Sequence, residues 1–287
     1  MKMNTLMKYR EGMTFHPVEN HAPSSMQITD IHKLMLVTVN RFLLMTKEQF
    51  SDYLIRTLGL KGMSEQEICK EVQHLRQSNF LTACSFFDAE GIWLKNVYIL
   101  GYRGRGCLKS MGEAPRMTSY LAQFDALAAM KILTANEYII QKQISPADFL
   151  VSKTLVVRRK KSKKARIIVH PQGTIRTKEE TRLTEAVRRA PDYLESIQEK
   201  LDRMQSVLDC KSLNMELSEP SVTLICEDDA MAEELRQCLQ GKRYHFPVFA
   251  TTDACVCKGD AGDETLLVRA AEEHFFERLC RHLFRAA

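Results

Sequence analysis

Residues 64–100 read SEQEICKEVQHLRQSNFLTACSFFDAEGIWLKNVYIL, and their reading decides the fold. Ser64 followed three residues later by Glu67 is the capping-box pattern that opens a helix. Ile68, Val72 and Leu75 then recur at helical spacing as a narrow apolar stripe. The opposite face carries Gln66, Lys70, Gln73, His74, Arg76 and Gln77. Two strand-like runs follow, 80–87 and 92–100. In the second, Trp93, Val97 and Ile99 alternate with polar neighbours. Asp88, Ala89, Glu90 and Gly91 join the runs as a turn, so the pair reads as a hairpin.

Upstream, apolar residues at helical spacing over 28–45 predict a first helix, with Thr29 or Asp30 at its start. Thr46 is a natural cap for a second helix over 47–58, with Phe50, Tyr53, Leu54 and Leu58 on one stripe. Gly59 and Gly62 break the chain before Ser64. The resulting order is helix, helix, turn, helix, hairpin, which is that of a winged helix-turn-helix over 26–116. Residues 1–25 read as a flexible lead-in, and 117–153 as a helical connector of one or two helices that Asn136 interrupts.

The second half, 154–287, reads as a small mixed-sheet α/β domain, giving an α+β protein overall. Strand-like runs are expected at 154–157, 165–170, 223–226 and 244–250. Helices are expected over 177–208, restarted at Pro191, over 230–239 and over 264–285.

Charge is unevenly spread along the 287 residues, whose net formal value is +5. Residues 1–116 hold 15 basic and 11 acidic side chains, and 117–153 hold three of each. Residues 154–176 hold eight basic and no acidic ones, whereas 177–287 hold 15 against 22. A basic front and middle with an acidic tail is the balance expected when part of a chain meets a polyanion. The nine cysteines are odd in number and scattered, which suits a reducing cytoplasm better than a disulfide framework. No apolar run approaches the ~20 residues that span a bilayer.

A recognition helix needs an apolar face toward its own domain and long donors toward base edges and phosphates. Lys70, Gln73, His74, Arg76 and Gln77 supply the donors. The predicted hairpin tip is acidic, with Asp88 and Glu90, and would be repelled by phosphate. The basic support next to it is Arg103, Arg105 and Lys109, read as a loop flexed by Gly101, Gly104 and Gly106. A second basic patch is Arg158, Arg159, Lys160, Lys161, Lys163, Lys164 and Arg166, set at a hairpin turn where contacts to phosphates would be indifferent to sequence. The competing readings are a solvated helix face and a charge-guarded hairpin edge.

Catalytic and metal signals are weak. Cys255 and Cys257, with Cys226, Cys238 and His245 upstream, lack the paired knuckles of a zinc site. Glu227, Asp228 and Asp229 follow a strand, where carboxylates hold Mg²⁺ in nucleases, yet they also stand where a helix start welcomes negative charge. The capping role is the reading favoured. No cofactor is expected.

Several segments resemble the replication-relaxation family of bacterial plasmids and integrative elements. They are SEQEICKEVQHLRQSNFL with its hairpin, NVYILGYRGRGCL with Val97, Tyr98, Leu100 and Gly104, and, in the second half, LESIQEKLDRMQSVL, SVTLICEDDAMAEELRQCL and YHFPVFATTD. The resemblance implies an N-terminal winged helix and a C-terminal degenerate restriction-endonuclease-like fold. It also implies non-enzymatic binding of double-stranded DNA in replication, relaxation or transfer of a mobile element. A homodimer and a relaxase or replication protein as partner are expected with it. The alternatives are a protein-interaction module and a divergent metal-dependent nuclease.

Overall fold

The computed structural model describes residues 6–18, 25–116, 125–152, 155–158, 166–208, 219–259 and 264–269. The protein is a mixed α/β chain of two compact units, Met1–Val151 and Ser152–Ala287.

The first unit runs β1 (Thr14–Pro17), α1 (Asp30–Phe42), β2 (Leu44–Met45), α2 (Lys47–Asp52), α3 (Glu65–Gln77), β3 (Leu81–Phe87), β4 (Trp93–Leu100), α4 (Tyr102–Ser110), α5 (Ala126–Gln141) and β5 (Phe149–Val151). Its antiparallel sheet has the order β1-β3-β4-β2. The first helix expected over 28–45 stops at Phe42, because Leu43 turns to φ 70° and Leu44 and Met45 pair with Ile99 and Tyr98. After α2 the chain continues through a π-helical turn, Tyr53–Thr57, closed by Leu58 N donating to Tyr53 O at 3.0 Å.

Met35, Leu36 and Val39 of α1, Phe50 of α2, and Ile68, Val72 and Leu75 of α3 are all fully buried. Each such side chain contributes roughly 1.5–3 kcal/mol on leaving water. Thr14–Pro17, within the expected lead-in, forms an edge strand on β3, with Phe15 and Phe86 rings 4.6 Å apart. Asn136 does not interrupt a helix. It lies within α5, fully buried, and its Nδ2 donates to Phe42 O (3.1 Å) and Leu44 O (2.7 Å), pinning the bend between α1 and β2.

The expected loop after the hairpin is a helix, α4. Two glycines at its start serve close packing: a Cβ on Gly101 would lie 2.4 Å from Asn79 O, and one on Gly104 would lie 2.2 Å from Phe80 O. Glycine is poor helix material in isolation, so tertiary contact decides this element.

The second unit runs β6 (Leu155–Arg158), β7 (Arg166–Val169), β8 (Gly173–Arg176), β9 (Thr181–Ala186), α6 (Tyr193–Leu208), β10 (Pro220–Cys226), α7 (Asp229–Cys238), β11 (Val248–Thr252), α8 (Asp253–Lys258) and β12 (Thr265–Val268). β6 and β7 form an antiparallel pair. Within this unit the larger sheet runs β12-β11-β10-β9-β8; β9, β10 and β11 are parallel and β8 and β12 antiparallel. Leu183, Val222, Leu224, Val248 and Ala250 face α6 and α7 in one core.

Two expectations fail here. Residues 177–208 are not largely helical, because β9 lies between β8 and β10 and spends its backbone groups on both. Residues 265–268, expected within a terminal helix, pair with β11 instead; the rest of that expected helix, from 270 onward, lies outside the described residues. No helix among the described residues is long and apolar enough to cross a membrane.

Candidate functional site

α3 begins as its sequence requires. Ser64 Oγ accepts from Glu67 N at 3.3 Å, and Glu67 Oε2 accepts from Ser64 N at 2.7 Å. The bond from Ser64 N, with a second from the Ser64 hydroxyl, holds the Glu67 carboxyl below its usual range. The buried stripe Ile68, Val72 and Leu75 fixes the helix rotation. Gln66, Lys70, His74 and Gln77 are then exposed, and Gln73 and Arg76 half-buried.

At 100° per residue, Gln66, Lys70, Gln73 and Gln77 fall within about 60° of one another, a single open stripe. Lys70, Gln73 and Gln77 are among the expected contacts. Gln66 completes the stripe, and helical phase alone would have picked it out.

His74 and Arg76 stand off this stripe. Glu71 Oε2 lies 2.8 Å from His32 Nε2 and 3.2 Å from His74 Nδ1. His32 Nδ1 accepts from Thr29 N at 3.1 Å, so the ring's proton sits on Nε2, aimed at Glu71. α1 and α3 are joined through this contact, and the His32 hydrogen bond holds the Glu71 carboxyl below the ordinary range. Burial pushes the Tyr98 phenol up to about 12, against the smaller pull of the Arg76 charge.

A carboxylate with a lowered folded pKa gives stability that is complete above its unfolded value and lost as pH falls through the folded one. Glu71→Gln is therefore expected to lower the chemical-denaturation stability of the first unit by about 1–2 kcal/mol at pH 7, since His32 is buried. The gap between variant and parent should close as pH drops below about 4. An unchanged gap down to pH 3 contradicts this assignment.

The basic residues after the hairpin are structural as well as charged. Arg103 Nη1 donates to Ser78 O at the end of α3 (3.1 Å), and its guanidinium stacks 4.5 Å over Phe80. Arg105 Nη1 donates to Leu100 O at 3.1 Å, whereas Lys109 is exposed. The hairpin tip is closed by its own side chain: Asp88 Oδ1 accepts from Glu90 N (3.0 Å) and Ile92 N (2.8 Å). Beside it Ile92 and Trp93 are each 56% exposed and Leu94 38%. Trp93 Nε1 donates to Asn96 Oδ1 at 3.0 Å.

Arg158 and Arg166 stand opposite each other at the end of the β6–β7 pair. Arg159, Lys160, Lys161, Lys163 and Lys164 lie outside the described residues.

In the second unit Asp228 Oδ1 accepts from Met231 N at 2.9 Å, capping α7, and Arg189 stands 3.4 Å from the same carboxylate. Glu227 is buried and accepts from Arg189 N at 3.4 Å. Among the described residues no group of three or more His, Cys, Asp or Glu side chains is placed to hold a metal ion. The described cysteines are free thiols. Burial pushes Cys84 and Cys226 up to about 12, away from the reactive thiolate.

Sequence reasoning missed the fully buried Arg188, whose Nη2 lies 3.1 Å from Asp253 Oδ1. The two residues are 65 positions apart, so no local pattern announces the pair.

No family model, curated protein or solved structure matches the chain.

Proposed function

We propose that the first unit is a winged-helix module that binds double-stranded DNA, with α3 entering the major groove. The carrying observation is the open Gln66–Lys70–Gln73–Gln77 stripe on a helix whose opposite stripe is fully buried. The sheet supports the reading. β2, between α1 and α2, pairs with β4, and β4 pairs with β3, which is how a wing is attached to a helix-turn-helix core. With the resemblance noted in the sequence, the role proposed is that of a non-enzymatic factor in replication, relaxation or transfer of a mobile element.

Ser64–Gln77 itself holds three glutamates against Lys70 and Arg76. Phosphate affinity therefore has to come largely from elsewhere, with Lys109 and the Arg158–Arg166 run as the proposed sources. Fluorescence anisotropy of a labelled duplex tests this across a salt series. Binding should weaken steeply with salt, and Lys70→Ala should lower the log–log slope by about 1. Folded protein that shows no salt-sensitive binding to any duplex sinks the proposal.

One observation favours a second contact of a different kind. The exposed Ile92, Trp93 and Leu94 beside Asp88 and Glu90 suit an apolar, basic-rimmed protein surface better than phosphate. Trp93 is the sole tryptophan, so a blue shift of intrinsic emission reports a partner at the wing.

A further inference from the structure

We infer that α3 reads adenine, through the side-chain amides of Gln66, Gln73 and Gln77 standing in one open row. This rests on the major-groove reading above and sharpens it to a class of site.

Several polar groups of α3 are already committed. Glu67 is bonded to Ser64 N and, at 2.8 Å, to Ser64 Oγ. Glu71 is bonded to His32 and His74. At 100° per residue Glu65 and Arg76 both fall about 60° or more from the nearest member of the row. The row then presents three carboxamides and the Lys70 ammonium, with no carboxylate and no guanidinium.

Base edges sort these groups. Guanine shows two acceptors and is best met by two donors, as from arginine. Cytosine shows a donor and wants an acceptor such as a carboxylate. Adenine shows one acceptor, N7, and one donor, N6–H, and a carboxamide answers both at once. Three carboxamides without an arginine therefore select adenines, while Lys70 serves a phosphate or a single guanine.

Spacing sets the length of the site. At about 1.5 Å per residue, Gln66 to Gln77 spans roughly 16 Å of helix. Base pairs rise about 3.4 Å each, so the row covers about five of them. Gln73 and Gln77, about 6 Å apart, reach positions two steps apart, and Gln66 reads beyond them.

The test uses the full chain and a pool of 20-base-pair duplexes randomised at six central positions, taken through rounds of binding and recovery. Adenine should be enriched at two or more positions. The selected duplex should bind at least tenfold tighter than its all-G·C counterpart. Replacing the enriched adenines by 7-deazaadenine, which removes N7 and leaves the minor groove intact, should cost about tenfold. Gln73→Glu should move the preference at one position from adenine to cytosine, because a carboxylate accepts from the cytosine amine. Gln73 is half-buried at the helix surface, and a circular dichroism melt verifies that the variant folds.

Tight binding with no adenine enrichment overturns the inference while leaving the DNA reading standing. So does enrichment that is indifferent to 7-deazaadenine, which would point to groove shape instead. If no duplex in the pool binds, the DNA reading itself fails and the inference with it.

Discussion

Gly104→Ala is expected to destabilise the first unit by about 2 kcal/mol or more, whereas Gly106→Ala, two residues along the same helix, is expected to stabilise it. In a free helix both changes gain up to ~1 kcal/mol, because alanine loses less backbone freedom than glycine. At Gly106 nothing stands within 4 Å of the added Cβ, so that gain survives. At Gly104 the Cβ would lie 2.2 Å from Phe80 O and 3.2 Å from Leu36 Cδ2. The leucine tip can rotate away, but the carbonyl cannot. It belongs to the turn between α3 and β3 and already accepts from Gly101 N at 2.9 Å. Forcing atoms into a packed site costs typically 1–3 kcal/mol and sometimes more, which outweighs the helix gain. Urea unfolding of the two variants, followed by circular dichroism, decides the matter. Equal effects at the two positions would mean that α4 does not pack on Phe80 as described.

The second large effect lies in the other unit. Asp253→Ala should cost about 3–5 kcal/mol, because it leaves the Arg188 guanidinium buried without its carboxylate. Arg188 is fully buried, with Nη1 donating to Val187 O at 2.8 Å and Nη2 facing Asp253. The double variant Arg188→Met with Asp253→Leu removes both charges and should recover most of the loss, since apolar residues of similar size often replace a buried pair at little cost. Thermal melts of the single and double variants measure this. A loss below about 1 kcal/mol for Asp253→Ala would show that water reaches the pair.

Much of the first unit is legible in the sequence because its signals are local. Ser64 with Glu67, the Ile68–Val72–Leu75 stripe and the Asp88–Gly91 turn each act within a few residues, and each forms as expected. The candidate contacts divide by phase. Lys70, Gln73 and Gln77 share the open row, whereas His74, bonded to Glu71, and Arg76 stand off it.

What stays hidden depends on partners far along the chain. β9 reads TRLTEA, with charges that suit a helix, and becomes a strand because β8 and β10 flank it. There Lys200 Nζ, 2.6 Å away, meets the buried Glu185. Tyr102–Ser110 carries two glycines that argue for a loop, until Phe80 O gives Gly104 its reason. Asn136 is an ordinary amide in sequence; the bend after α1 gives it its role.

The pairing of β1 with β3 also bears on how the protein is made. Thr14 stands opposite Phe87 and Pro17 opposite Cys84. β1 therefore finds its place only after α1, α2, α3 and then β3 have been made. Meanwhile α1, α2 and α3 hold contacts close in sequence and assemble early, as local contacts form faster than distant ones. A nascent chain halted between α3 and β3 would hold its helices and leave Phe15 in water, a species for chaperones to shield. β1, an edge strand of the sheet, is thus made before the three helices and fixed after them.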